Sequence, residues 1–118
     1  SLRIANKIAE KIDLNGVLAV KMFVQKNNNV LVNEIAPRPH NSGHWTMDAC
    51  KYSQYDNLIL SIFEPLVKEP LPQKSCKMVN LIGEDFNNFS NLKKKYKCYN
   101  YFKDEIRPKR KMGHYIIF

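Results

Sequence analysis

The chain has 118 residues, 44% of them hydrophobic and 25% charged, with a formal net charge of +8. That balance excludes disorder for most of the chain, and no apolar run approaches the ~20 residues that a membrane-spanning helix needs. Cys50, Cys76 and Cys98 are widely spaced and form no CxxC pair, which argues against a disulfide framework and for a reducing, cytoplasmic setting.

Residues 2–14 carry Ile4, Ile8 and Ile12 at a spacing of four, with Ala5 and Ala9 beside them and Lys7, Glu10 and Lys11 on other faces. This predicts an amphipathic helix, closed at Asn15-Gly16, where either residue tolerates a left-handed backbone. The chain starts inside this helix without an initiator Met, so a piece of a longer protein is the expectation; nothing reads as a secretory leader. Residues 17–24 (VLAVKMFV) and 30–36 read as two strands joined by a turn at KNNN, residues 26–29. If Gln25 faces Val30 across that turn, Lys21 faces Glu34 and both point to one side of the sheet.

Pro37 ends the second strand, and residues 38–46 read as a loop. Residues 53–63 (SQYDNLILSIF) predict a helix with Ser53 as cap and Asp56 completing a capping box. Tyr55, Leu58, Ile59 and Ile62 are its apolar stripe. Pro65, Pro70 and Pro72 impose an extended connection. Further strands are expected at 76–83, 96–102 and 112–118, with a polar loop at 84–91 and the last two strands forming a hairpin.

The positive charge concentrates in KKKYK (residues 93–97) and RPKRK (residues 107–111). Clustered charge of this kind meets nucleic acid, anionic membrane or phosphorylated small molecules. The first run reads as a solvated face. The second, held between two aromatic or apolar segments and containing Pro108, reads as a shaped loop.

NEIAPRPHNSGHW, residues 33–45, packs a carboxylate, an arginine and two histidines directly after a strand. Asn33 and Glu34 offer hard oxygen ligands suited to Mg²⁺, Arg38 offers a planar fork for phosphate or carboxylate, and His40 and His44 can handle protons or orient a substrate. A zinc site from His40, His44 and Cys50 has no standard spacing.

VNEIAPRPHNSGHWT, residues 32–46, closely resembles the signature of the 5-(carboxyamino)imidazole ribonucleotide synthase family, the ATP-grasp enzymes of bacterial and fungal purine synthesis. SQY, MVNLIGE and RPKRKMGH match the same family in order, so the resemblance covers essentially the whole chain. A related formate-dependent ATP-grasp enzyme shares N-E-x-x-P-R-P-H but does not continue as NSGHW. The resemblance implies an α+β fold: residues 1–70 as the C-terminal end of an ATP-grasp domain (helix, β-hairpin and metal/substrate loop), and residues 71–118 as a small β-rich domain.

It also implies a reaction. ATP phosphorylates bicarbonate, and the carboxyl group, released from carboxyphosphate, is captured by the exocyclic amine of aminoimidazole ribonucleotide. Glu34 would hold Mg²⁺ with Asn33 in support, both at the ATP phosphates. Arg38 would neutralise charge on the transferred phosphoryl group, and His40, Asn41 and Ser42 would orient the substrate or the carboxylating species. Lys103, Arg107, Arg110 and Lys111 would bind the 5′-phosphate. Small molecules, and neither nucleic acid nor membrane, are the implied partners, with a homodimer expected for the full-length enzyme. The family's adenine-binding hinge, ATP-binding lysines and N-terminal substrate domain are absent from these residues, so the chain alone is expected not to turn over ATP.

Two positions depart from the family. Lys21-Met22-Phe23 stands where a metal-binding glutamate normally opens the triplet, and Lys109 stands where glycine is usual. Two rivals remain open. One is a basic RNA- or polyanion-binding module that uses Tyr96, Tyr99, Tyr101 and Phe102 as stacking platforms; the other is an ATP-grasp relative impaired by Lys21.

Overall fold

A computed structural model describes residues 1–63 and 68–118. Pro65, one of the three prolines expected to extend the connection, lies outside the described residues. The chain divides into two compact units, Ser1–Leu71 and Pro72–Phe118.

The first unit opens with helix α1, Leu2–Lys11. It stops short of the expected residue 14 because Asp13, at φ 48°, takes the left-handed position before Asn15-Gly16 is reached. Asp is among the few side-chain-bearing residues that enter this region at small cost. The Leu14 N–H closes the turn onto the Ala9 carbonyl at 3.0 Å. Strands β1 (Ala19–Val24) and β2 (Val30–Ala36) then pair antiparallel, β1 starting two residues later than expected.

The turn differs in register from the expectation. Val24, not Gln25, faces Val30, and Asn28 at φ 63° turns the chain, with the Gln25 N–H donating to the Asn29 carbonyl at 2.8 Å. A bulge between Lys21 and Met22 compensates: Met22 pairs with Val32, while Lys21 pairs with Glu34, leaving Asn33 as the extra residue. Lys21 thus opposes Glu34 as expected, although the route runs through two offsets that cancel.

The segment expected to be one loop is partly helical. Asn41–Gly43 forms a 3-10 turn and Thr46–Ala49 a short helix, α2. Helix α3 follows as Gln54–Phe63. Ser53 caps it as expected: its backbone N–H and hydroxyl both donate to Asp56 Oδ2, at 2.8 and 2.7 Å, and its Oγ accepts from the Asp56 N–H. These donors hold the Asp56 carboxyl below the usual carboxylate range, the backbone bond contributing most.

The orientation of α3 corrects the expected stripe. Ile59 and Ile62 are 55% and 67% exposed, whereas Gln54, Asn57 and Ser61 are buried. Polar groups of this face bond to other segments of the unit. Asn57 Oδ1 accepts from the Lys68 N–H, and the Ser61 carbonyl accepts from Asn15 Nδ2.

The second unit is a three-stranded antiparallel sheet in the order β3-β5-β4, with β3 Lys77–Ile82, β4 Lys97–Asn100 and β5 Lys111–Ile117. Residues 84–91, expected as a loop, belong instead to a 3-10 helix, Gly83–Asn88, and to α4, Phe89–Leu92. The strand bounds differ from expectation by one or two residues at each end. Central β5 forms the core of this unit, with Met112 and Ile116 1% exposed and His114 fully buried. Each such apolar side chain contributes roughly 1.5–3 kcal/mol by leaving water. Gly113 has no room for a side chain, since an added Cβ would collide with the Tyr99 carbonyl on β4.

The tyrosines offered as stacking platforms are half-buried and engaged within this unit. Tyr96 stacks on Tyr115, Tyr99 on His114, and the Tyr101 hydroxyl lies 2.7 Å from His114 Nδ1. Only Phe102 of that set, 84% exposed, presents its ring outward. All three cysteines are free thiols, and burial pushes the Cys98 thiol up, against the opposing charge of Lys93.

Candidate functional site

The candidate residues divide between the two units. In the first, β2 carries Asn33 and Glu34 at the bulge, both exposed. Adjacent residues of a regular strand point to opposite faces; a bulge breaks that alternation and re-aims a side chain, here at the two oxygen-bearing residues. Glu34 Oε2 lies 4.0 Å from Lys21 Nζ across the ladder. Among the described residues no hydrogen bond or ion pair joins Glu34 to Arg38 or His40, and no three His, Cys, Asp or Glu side chains gather as a metal cluster.

Arg38 follows two residues after β2. Its N–H donates to the Ala36 carbonyl and its Nη1 to the Pro39 carbonyl at 3.1 Å, the one hydrogen bond of this exposed side chain among the described residues. His40 begins the 3-10 turn. The Ser42 N–H donates to His40 Nδ1 at 3.3 Å, and Ser42 Oγ lies 2.8 Å from the same nitrogen. His40 and Ser42 are therefore one unit, with Asn41 between them.

Gln54 organises this loop, a role not expected from the sequence. Its Oε1 accepts the His40 N–H at 2.8 Å, while its Nε2 donates to the His40 carbonyl at 3.0 Å and lies 2.8 Å from His44 Nδ1. Its backbone N–H donates to Thr46 Oγ1, whose hydroxyl donates to the Gly43 carbonyl at 2.6 Å. Tyr55 stacks on His44, its hydroxyl 3.2 Å from Nδ1. Gln54 and Thr46 also line a cavity of about 190 Å³ with Gly16, Val17, Asn57 and Pro70. The available signal was the polar series Gln54, Asn57, Ser61 at helical spacing, which is the buried face here.

In the second unit, Lys103, Arg107, Arg110 and Lys111 lie along the connection from β4 into β5. Arg107 is not an open fork: its Nε and Nη2 both donate to Glu105 Oε2, at 2.9 and 2.7 Å. Arg110 Nη1 reaches the Glu105 carbonyl at 3.4 Å, and the Arg110 carbonyl accepts from the Gly83 N–H at 2.8 Å, anchoring the loop to the end of β3. Lys109 sits at φ 62°. A left-handed backbone is the physical reason for the glycine that the resemblance makes usual at this position.

Comparison with known proteins follows the same two-part division. Residues 2–55 match the family model of the ATP-grasp domain, and residues 76–118 match that of the phosphoribosylaminoimidazole carboxylase C-terminal domain. The chain is 44% identical over 117 residues to the N5-carboxyaminoimidazole ribonucleotide synthase of Staphylococcus haemolyticus, covering 95% of this chain but 31% of that protein. The crystal structure of the N5-carboxyaminoimidazole synthetase of Staphylococcus aureus is similar with a TM-score of 0.83 at 39% identity, over 95% of this chain and 32% of that one. The Aspergillus clavatus synthase, solved with ADP and 5-aminoimidazole ribonucleotide, gives a TM-score of 0.72 at 31% identity, over 86% of this chain and 30% of that one. The chain thus spans about a third of the length of these relatives.

Proposed function

We propose, from the premise that this chain belongs to the N5-carboxyaminoimidazole ribonucleotide synthase family of ATP-grasp proteins, that it supplies part of an ATP-dependent carboxylase acting in the cytoplasm on 5-aminoimidazole ribonucleotide. The reaction joins bicarbonate to the exocyclic amine and releases ADP and phosphate, a carbon–nitrogen ligation in purine synthesis. One observation carries the reading: the likeness runs through both units in one order, and it includes a structure solved with ADP and the aminoimidazole ribonucleotide.

On this reading residues 1–70 end the ATP-grasp domain and residues 71–118 form the small C-terminal domain. Glu34 and Asn33 fit Mg²⁺, because that ion is held by one or two carboxylates completed by substrate phosphates and water. When bound, the ion would supply charge neutralisation at the phosphate oxygens. Arg38, whose Nη1 bonds the Pro39 carbonyl, would offer its fork to the anionic reacting group, where fixed positive charge lowers the barrier most. His40, Asn41 and Ser42 orient the imidazole or the carboxylating species. Lys103, Arg107, Arg110 and Lys111 hold the 5′-phosphate. The Arg107–Glu105 pair is solvent-exposed, worth roughly 0–1 kcal/mol, and exchangeable for a phosphate dianion.

A second reading is favoured by one contact. Lys21 lies against Glu34, the carboxylate assigned to the ion, so this chain belongs to a relative with a weakened metal site. ADP release from the protein carrying this chain, with bicarbonate and with or without aminoimidazole ribonucleotide, tests both. Release that depends on the ribonucleotide supports carboxylation. Release that stays at background at saturating Mg²⁺ and ATP favours the impaired relative, and these 118 residues by themselves are expected to release none.

A further inference from the structure

The roles proposed above leave Gln54 unused, although it is buried and spends every polar atom of its side chain on the loop at residues 40–44. The two ends of a carboxamide have nearly the same shape, so its orientation must be read from its partners. Here the partners are backbone and admit one answer. The His40 N–H can only donate, and it meets Oε1 at 2.8 Å; the His40 carbonyl can only accept, and it meets Nε2 at 3.0 Å. With the amide fixed, Nε2 has a second N–H, and His44 Nδ1 lies 2.8 Å from it. A donor there requires a lone pair on Nδ1.

We propose that Gln54 is a positioning residue that sets both the path of the loop and the tautomer of His44. It grips the peptide unit of His40 with both ends of its amide and presents its remaining N–H to His44 Nδ1, so the neutral ring carries its proton on Nε2. The Tyr55 hydroxyl, 3.2 Å from the same nitrogen, is compatible because a hydroxyl can donate as well as accept. His40 shares the pattern by a different device, since the Ser42 N–H donates to its Nδ1. In both rings Nε2 is then the protonated nitrogen, so both imidazoles present the same chemistry from the same ring position. A carboxylate at 54 cannot do this, having no N–H to give. Gly43 makes the grip possible: a Cβ there would lie 2.6 Å from Gln54 Oε1 and 3.0 Å from its Cδ. The tautomer follows from this geometry alone, while its value in orienting an imidazole substrate rests on the function proposed above.

The test is nitrogen NMR on the ¹⁵N-labelled protein at a pH where the rings are neutral. Long-range correlation spectra read which imidazole nitrogen is protonated, and a coupling across the hydrogen bond reads Gln54 Nε2 against His44 Nδ1. His44 is expected to carry its proton on Nε2 and to show that coupling. In Gln54→Glu the coupling is lost and the proton moves to Nδ1, while the amide signals of β1 and β2 stay in place. A wild-type His44 protonated on Nδ1 overturns the proposal, as does a folded Gln54→Glu that keeps the Nε2–H form. If that variant does not fold, the wild-type tautomer alone decides. No readout here uses ATP or the ribonucleotide, so failure of this proposal and failure of the carboxylation reading are distinguishable.

Discussion

Lys21 and Glu34 face each other across the β1–β2 ladder, the ammonium nitrogen 4.0 Å from the carboxylate oxygen, at the bulge that leaves Asn33 unpaired. Both side chains are about half exposed, so the pair adds little to stability. Its consequence is electrostatic: a cation approaching Glu34 meets one already there. At this separation a unit charge contributes roughly 1 kcal/mol even in bulk water. Lys21→Glu reverses that charge and should tighten divalent-cation binding on the order of tenfold or more, with Lys21→Ala intermediate. Mn²⁺ or Mg²⁺ titration followed through the amide signals of Asn33 and Glu34 measures it at low salt, where screening is weakest. Equal affinity in wild type and Lys21→Glu would remove the reason for regarding this site as weakened.

Gly43 and Gln54 are matched by volume. Gly43→Ala forces the carboxamide away from the loop, because the new methyl would lie 2.6 Å from Oε1. Overpacking of this kind costs roughly 1–3 kcal/mol. Urea unfolding should report that loss. The imidazole signals of His40 and His44 should shift together, since one side chain serves both. A loss of stability with both signals unmoved would separate the packing at Gly43 from the geometry of the loop.

Lys109 pays for its φ of 62° with backbone strain. For a side-chain-bearing residue this region costs roughly 1–2 kcal/mol, and glycine avoids it. Glycine also frees the unfolded chain, which returns roughly 0.4–1 kcal/mol to the unfolded state. Lys109→Gly is therefore expected to stabilise the second unit slightly, by up to about 1 kcal/mol. A shift of the urea midpoint to lower concentration would show that Lys109 makes contacts worth more than its strain.

How far the sequence revealed this arrangement depended on where each signal was local. The capping box at Ser53 and Asp56 was legible because its two residues lie on one helical turn. The hairpin was legible because its strands are β-branched and its turn is asparagine-rich. The left-handed residue at Asp13 was missed because Asn15-Gly16 is a stronger stop signal than Asp, and the chain turned at the first residue able to do so. The buried face of α3 was missed for a deeper reason. Tyr55, Leu58, Ile59 and Ile62 form the better apolar stripe, yet Gln54, Asn57 and Ser61 face inward, the first two because the backbone they satisfy lies there. That demand arises from residues 40 and 68, far along the chain, and the polar series at helical spacing shows only a face, not what it binds. The assignment of Glu34, Arg38 and His40 to one segment came from the motif, whereas the bonds of Gln54 that hold its loop came only from the fold.

Asp56 gives the capping box a pH dependence of known sign. The Ser53 N–H and hydroxyl donate to its ionised carboxylate and lower its pKa, burial opposing them only slightly. A carboxylate whose folded pKa lies below its unfolded value contributes stability that is fully present above the unfolded value, about 3.9 for aspartate. That contribution is lost as pH falls through the lower, folded value. Stability should therefore be indifferent to Asp56 between pH 7 and about 5, and should fall on further acidification. Asp56→Asn removes this acid-dependent part, and Ser53→Ala, which deletes the cap hydroxyl, should cost about 1 kcal/mol at neutral pH. Comparing unfolding midpoints of wild type and Asp56→Asn from neutral pH down to pH ~3 reads the difference. It should narrow toward acid, and a gap that stays constant across the range would mean that the charge of Asp56 plays no part in holding the start of α3.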